Sequence, residues 1–393
     1  MRILVFPSWY FTDERPNLGS FFREQSKAIS DNGNDVRIAY TEIRNPKYIL
    51  KDILRKKKIG FERFLDGDLI TYRVTQYNIP PRIMPALELR TYLGLKFIVK
   101  NLIEKEMWIP DIIHIHSFFP AGYAGMKLAS DLKVPFVITE HSTGFSRNYY
   151  KSYQLKYLRK ILEASSANIS VGEGLKNDLQ KYTDNEVKII PNMVDVQFFS
   201  ANGYSNFKTN SDSFTFFSLG DLTYKKGFDI LIDSFFRAFG NNSKFRLKIG
   251  GAGEESDNLK ARAKNLGLSS QIDFLGPLSR EQVAIEMNNS DAFVLASRFE
   301  TFGVVFIEAL ACGKPIVVPD IPGPKDIVVP NNGIIFKKGN KEDLADKMLY
   351  VVENYSLYDP REIIENCHLK YGKANFVKRI TEVYESVLQN RKA

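Results

Sequence analysis

The stretch AFVLASRFETFGVVFIEALACGKPIVVP, residues 292–319, decides the fold. It opens on an apolar run ending at Leu295 and closes on a second, Ile316–Pro319. Both are short, uncharged and rich in branched residues, as strands buried on two faces read. Between them a polar loop carries Glu300, and a helix starts near Gly303. Strand, helix and strand in this order make a βαβ unit with parallel strands. A helix that begins beyond a strand's carboxyl end turns its unpaired amide groups towards that edge. Glu308 then lies about one and a half turns into the helix. Two carboxylates flanking a helix N-terminus can hold a polyhydroxylated ligand while the amides hold phosphate. Spacing alone, however, favours a plainer assignment, with Glu300 as a helix-cap acid and Glu308 as a solvated helix residue.

The same alternation extends in both directions. Around the opening stretch, strands are predicted at Phe214–Leu219, Phe245–Gly250, Ile272–Leu275, Ala292–Leu295, Ile316–Pro319 and Gly333–Phe336. An earlier series runs through Ile3–Phe6, Val36–Tyr40, Leu69–Val74, Ile112–Ile115, Phe136–Thr139, Asn168–Ser170 and Lys188–Ile190. Helices are predicted between them at Ser20–Ser30, Ala86–Glu106, Ala121–Ser130, Tyr149–Glu163 and Leu175–Lys181. Asp195–Ser213, rich in Ser, Asn, Gly, Lys and Thr, reads as a linker. The expectation is two open α/β domains, 1–195 and 196–371, and a C-terminal segment 372–393 whose helix, Lys373–Leu388, returns to the first. Ligands of such sheets collect at the carboxyl ends of the strands, which puts the crevice between the domains.

Composition agrees with a soluble globular chain. Of 393 residues 44% are hydrophobic and 25% charged, and 29 Phe, 19 Tyr and 2 Trp supply two sizeable cores, which excludes a disordered or collagen-like protein. The net charge of +8 is one-sided, +7 over residues 1–200 and +1 over the rest, which suits an anionic partner. Two cysteines, Cys312 and Cys367, cannot make a disulfide framework or a thiolate metal site, so a reducing, cytoplasmic setting is expected. The N-terminus lacks the features of a signal peptide, and no stretch is long and apolar enough for a membrane span.

The passage around Glu300 resembles the E-x7-E segment of glycosyltransferase family four, retaining enzymes of the GT-B fold. The resemblance continues in GDLTYKKG (220–227), IGGAGE (249–254), FLGPL (274–278) and IIPNMVD (189–195). In the first domain PSWY (7–10), GSFFREQ (19–25), DIIHIH (111–116) and TEHS (139–142) are similar to acceptor-domain passages of a bacterial, cell-surface-polysaccharide branch. These passages run in order from the first strand to about Leu344. The resemblance implies two Rossmann-like domains facing an interdomain cleft. It also implies roles: Glu300 for the hydroxyls of the donor sugar, and Lys226 for the diphosphate. Gly220, Thr301, Phe302 and Gly303 would face sugar and diphosphate, Glu308 the ribose, and Leu278 the base. Gly19 would let an acceptor-domain loop close over the donor, and His141 would lie beside the anomeric carbon or the acceptor hydroxyl. His114 and His116 alternate along an apolar strand, so only one is expected to face the cleft readily, and His116, at the strand's end, is taken as that one.

The chain departs from the family at Asp221, where many relatives carry Arg. Either Lys225 or another base makes good the lost cation, or Asp221 turns away to pair with a neighbour. Other phosphate signals fail: Ser256 breaks the dinucleotide fingerprint that Gly251 and Gly253 begin, and no P-loop is present. Asp66-Gly67-Asp68 imitates a metal-binding D-x-D but reads as a tight turn before a strand. A site on His116 and His141 lacks a third ligand, so no metal and no cofactor is expected. A basic amphipathic pattern in 86–106 (Leu87, Leu89, Tyr92, Leu93, Leu95, Phe97, Ile98 and Leu102 with Arg90, Lys96, Lys100 and Lys105) fits either an anionic lipid surface or a core-packed helix. Lys51, Arg55, Lys56, Lys57 and Lys58 add to the first alternative.

The expected activity is transfer of a sugar from a nucleotide-diphosphate sugar to the hydroxyl of a glycan or lipid-linked glycan acceptor, at the inner face of the cytoplasmic membrane. An epimerase or phosphorylase on the same fold, or a non-catalytic nucleotide-sugar-binding subunit, are the alternatives. Nucleic acid is not an expected partner, because the basic excess is small and no recognition module is present.

Overall fold

The computed structural model describes residues 1–15, 18–79, 84–200, 213–240 and 242–391. The chain divides into two units: the first comprises Met1–Val171, Leu175–Ile190 and Val377–Ala393, the second Gly172–Gly174 and Pro191–Phe376.

In the first unit the elements run β1 (Arg2–Pro7), α1 (Ser20–Asp31), β2 (Asp35–Arg44), α2 (Ile49–Leu54), β3 (Gly60–Asp66), β4 (Leu69–Tyr77), α3 (Met84–Glu106), β5 (Ile112–His116), α4 (Ala121–Leu132), β6 (Phe136–Glu140), α5 (Ser152–Ala164), β7 (Ala167–Ser170), α6 (Glu173–Gln180) and β8 (Val187–Ile189). The sheet has the order β3-β4-β2-β1-β5-β6-β7-β8. All its pairings are parallel except β3 with β4. Ile3, Leu4, Val5 and Phe6 of β1 are wholly buried because helices cover both faces of the central strands. Strand β3 was not expected. It is an edge strand joined to β4 by a hairpin in which Asp66 pairs with Leu69, so Asp66-Gly67-Asp68 is a turn. Asp66 accepts hydrogen bonds from Tyr10 Oη at 2.7 Å and Arg23 Nη1 at 3.2 Å.

The densest basic run falls on α2 and the loop after it. Arg44 holds this segment to the sheet, bridging Asp52 and Glu42, each at 2.6 Å, and Glu14 at 2.8 Å. Lys57 spans Asp13 at 2.8 Å and Glu42 at 3.1 Å. Helix α3 packs Tyr92, Leu95, Ile98 and Leu102 into the core, while Leu89, Leu93 and Phe97 stay exposed beside Lys96 and Lys100. It is thus a core helix with a partly apolar outer face.

The second unit contains α7 (Val196–Ser200), β9 (Phe214–Leu219), α8 (Phe228–Phe239), β10 (Phe245–Gly250), α9 (Ser256–Asn265), β11 (Ile272–Gly276), α10 (Arg280–Asn288), β12 (Ala292–Val294), α11 (Val304–Ala311), β13 (Ile316–Pro319), α12 (Pro324–Ile327), β14 (Gly333–Phe336), α13 (Lys341–Glu353) and α14 (Pro360–Tyr371). Its six strands are all parallel, in the order β11-β10-β9-β12-β13-β14. Phe216, Phe217, Phe293 and Phe306 fill its core. The final helix, α15 (Lys373–Asn390), starts in this unit and from Val377 belongs to the first.

The segment read as a linker, Asp195–Ser213, begins with helix α7, and its residues 201–212 lie outside the described ones. The units part at Ile190/Pro191 and Phe376/Val377, a few residues from the expected 195/196 and 371/372. The amide of Val194 donates to Tyr371 O at 2.9 Å, and Phe199 is buried against Cys312 and Asn288, which ties 191–200 to the second unit.

Candidate functional site

In the second unit, the loops after β9, β10, β11 and β12 leave the sheet at one edge, because parallel strands share their carboxyl ends. The loop after β12 brings Glu300 to the loop after β9, where Lys226 Nζ donates to Glu300 Oε1 at 2.5 Å. Ser297 Oγ donates to the same oxygen at 3.2 Å. The two side chains are 17% and 8% exposed, so the pair is sheltered but reachable. Burial pushes the Glu300 carboxyl up, Lys226 and then Lys225 pull it down, and the balance holds it below the usual carboxylate range. It is therefore ionised at neutral pH, and ionised acceptors make the stronger hydrogen bonds.

Glycines let these loops approach. Gly227 follows the lysines at φ 67°, and a Cβ there would stand 2.0 Å from Ala296 O. Only glycine combines that conformation with that contact. Gly303, at φ 90°, is the N-cap of α11 and leaves that helix's first amides uncovered by a side chain. The glycines of 250–253 have a packing role. Gly251 lies against Gly220, the Leu222 amide donates to Ala252 O at 3.0 Å, and Leu278 sits against Gly250. Thr301 turns its carbonyl to Gly323, Phe302 is buried with its ring 5.7 Å from that of Tyr371, and Glu308 is half-buried on α11. Asp221 is exposed, at the start of the loop after β9. Lys225 is placed to act on Glu300 electrostatically.

In the first unit, β5 and the first position after β6 carry three buried histidines. Residues two apart on a strand face the same side, and the rings of His114 and His116 lie 4.1 Å apart. The expectation that only one of them could face the strand-end site in this way is corrected: both share a face and differ in depth. His114 is taken up by structure, with Nδ1 2.6 Å from Tyr384 Oη and Nε2 2.8 Å from Thr139 Oγ1. His116 Nδ1 meets His141 Nε2 at 3.1 Å, at the carboxyl ends of their strands. Burial pushes His114 and His141 down to about 3 and His116 well below its ordinary value, so all three are neutral. Phe22, three residues after Gly19 at the start of α1, sets its ring 4.8 Å from that of His116, tilted, and 5.1 Å from that of His141, edge-on. Gly19 is at φ 73° against Trp9 O.

Sequence reasoning missed Glu140. Its buried carboxylate accepts from the amides of Phe118 at 2.9 Å, His141 at 2.8 Å and Ser142 at 2.7 Å, fixing the two loops that bear the histidines. It also missed Arg298, which lies inside the opening stretch. Among the described residues no three His, Cys, Asp or Glu side chains gather as a metal ligand set, and no helix is long and apolar enough to cross a membrane.

Residues 18–198 match the model of Glycosyltransferase Family 4, and residues 205–368 that of Glycosyl transferases group 1. A protein of Methanocaldococcus jannaschii described as an uncharacterized glycosyltransferase is 30% identical over 291 residues, covering 72% of this chain and 76% of its own. The alpha-monoglucosyldiacylglycerol synthase of Streptococcus pneumoniae is 24% identical over 300 residues, 71% of this chain and 67% of its own. HepE of Anabaena, solved in complex with UDP, superposes with a TM-score of 0.75 over 98% of this chain and 100% of that one, at 18% identity.

Proposed function

The chain belongs to glycosyltransferase family 4 and has the GT-B fold of two parallel-sheet α/β domains, and from that premise we propose that it moves a sugar from a nucleoside-diphosphate sugar to an acceptor hydroxyl with the anomeric configuration retained. The observation that carries the reading is the Lys226–Glu300 pair. It sets a cation suited to a diphosphate beside a carboxylate suited to sugar hydroxyls, next to the uncovered amides of α11. Donor binding then belongs to the second unit: Lys226, with Lys225 in place of the family's Arg, takes the diphosphate. Glu300 takes the sugar, Glu308 the ribose and Leu278 the base. The acceptor side belongs to the first unit, with His116 and His141 as neutral hydrogen-bonding groups.

In this scheme the bond between the anomeric carbon and the phosphate oxygen breaks, and the acceptor oxygen bonds the same face of the sugar. The acceptor's proton passes to the leaving phosphate. Neither an enzyme nucleophile nor a metal is needed, and the charge developing on the leaving group is met by preorganised cations and amides. Exposed Leu50, Ile53 and Leu54 among Lys51, Arg55, Lys56 and Lys58 support an acceptor carried on lipid at an anionic, cytoplasmic membrane surface. The S. pneumoniae relative is named for making a glucosylated diacylglycerol, itself a lipid.

Nucleoside diphosphate release from uridine, guanosine and adenosine diphosphate sugars tests the reading, uridine first because HepE was solved with UDP. Wild type should release it with chelator present. Glu300→Ala should lose about 100-fold or more, the cost of removing a charged group that acts in the transition state, while keeping its Tm. Activity retained by Glu300→Ala would remove that residue from the mechanism. Nucleotide binding without turnover on any acceptor would favour the non-catalytic subunit, which the exposed Asp221 would suit.

A further inference from the structure

Arg298 lies two residues before Glu300 and holds two of the three residues of the lysine turn, Tyr224 and Lys225. Its amide donates to Lys225 O at 2.8 Å, and its Nη1 donates to Tyr224 O at 2.7 Å. Nη1 and Nη2 also form a two-pronged pair with Asp229, at 2.9 and 2.7 Å, in the first turn of α8. The exposed ring of Tyr224 covers the guanidinium at 3.9 Å. The one-turn helix Tyr224–Lys226 is thereby fixed from both sides, by Asp229 beyond it and by the Glu300 loop beside it. Few side chains can do this: only arginine offers a planar fork that meets a carboxylate with two bonds while stacking on a ring.

We infer that Arg298 is a positioning residue that sets the Lys226 ammonium at the diphosphate subsite, at a fixed spacing from the Glu300 carboxylate. The inference rests on the reading of Lys226 as the diphosphate anchor. Arg298 itself touches no substrate in this scheme, since its Nη1 and Nη2 are engaged by Asp229 and the Tyr224 carbonyl. Its effect should therefore fall on phosphate recognition and spare the base and ribose, which other loops hold. A lysine at 298 keeps the charge but cannot make the fork, the carbonyl bond and the stack together.

The test is the ratio of affinities for nucleoside diphosphate and the matching monophosphate, measured by calorimetry on the full chain for uridine, guanosine and adenosine. Wild type, Arg298→Lys, Asp229→Asn and, as the floor, Lys226→Ala are compared, each with its Tm. A charge-assisted bond lost or misplaced corresponds to about 10- to 100-fold. The expected result is a loss in that range for the diphosphate in both Arg298→Lys and Asp229→Asn, with monophosphate affinity within about twofold of wild type. An unchanged ratio in both variants, with Lys226→Ala impaired, overturns the inference and leaves the functional reading standing. Equal weakening of both ligands also overturns it, because that is what general loosening of the unit would do. A wild type that does not prefer diphosphate to monophosphate, or a Lys226→Ala that keeps the preference, removes the functional reading and the inference with it.

Discussion

His114, His116 and His141 decide how the first unit responds to acid. In the folded chain all three sit below the value of about 6.5 that they have when unfolded, because burial penalises the charged form. Below about pH 6.5 the unfolded chain therefore binds protons that the folded chain refuses, and stability falls as pH drops towards the folded-state values. Each histidine contributes a slope of about 1.4 kcal/mol per pH unit in that window and none above it. Thermal unfolding should thus be nearly flat from pH 8 to 7 in this respect and decline from 6.5 to 5, with His114→Gln lowering Tm overall but making the decline shallower. An equally steep decline in that variant would mean that other groups carry the acid response. At this scale the sequence showed which residues carry chemistry more readily than what holds them. Glu300, Lys226 and His141 stood in recognisable passages, whereas the carboxylate of Glu140 and the fork of Arg298 act on backbone groups and on Asp229, partners that only the folded loops bring near.

Strands buried on both faces announce themselves as apolar runs, and every strand predicted in either series is present within one or a few residues at its ends. The strand that escaped notice, β3, is the exposed edge of its sheet, where adjacent Glu62 and Arg63 followed by adjacent Phe64 and Leu65 break the two-residue alternation of a half-buried strand. Helix α2 escaped for a related reason: six residues with Lys51 and Asp52 among them carry little periodicity. Its outer surface nonetheless matters, since Leu50, Ile53 and Leu54 are 76%, 65% and 84% exposed. If α2 meets anionic lipid, the full chain should sediment with vesicles containing phosphatidylglycerol and not with phosphatidylcholine alone. At about 1 kcal/mol for each basic group near the surface, Lys51→Gln, Arg55→Gln and Lys56→Gln together should weaken that binding by about two orders of magnitude. Lys57, whose ammonium is engaged with Asp13 and Glu42, is a different case and should lower stability when replaced. Equal sedimentation of the triple variant would place any lipid contact elsewhere.

Across the whole molecule, the chain leaves the first unit at Ile190 and comes back to it at Val377, and the return is fastened by Tyr384 on His114. A C-terminal helix was legible from its own periodicity, but the partner of its tyrosine was not, because the contact spans 270 residues. Tyr384→Phe should leave a buried imidazole nitrogen without its partner, at a cost of about 1–3 kcal/mol. For a unit of this size that is a fall in Tm of about 2–4 °C per kcal/mol, and an unchanged Tm would show that the helix is held by its apolar residues alone. The same long-range fastening sets an order of events during synthesis. At about 5–20 residues per second the ribosome needs on the order of 10–40 s to travel from Ile189, the end of the first unit's last strand, to Tyr384. Throughout that interval every strand of the first unit's sheet has been made while the helix that completes the unit has not, so the apolar surface that this helix covers stays open to other contacts for that time.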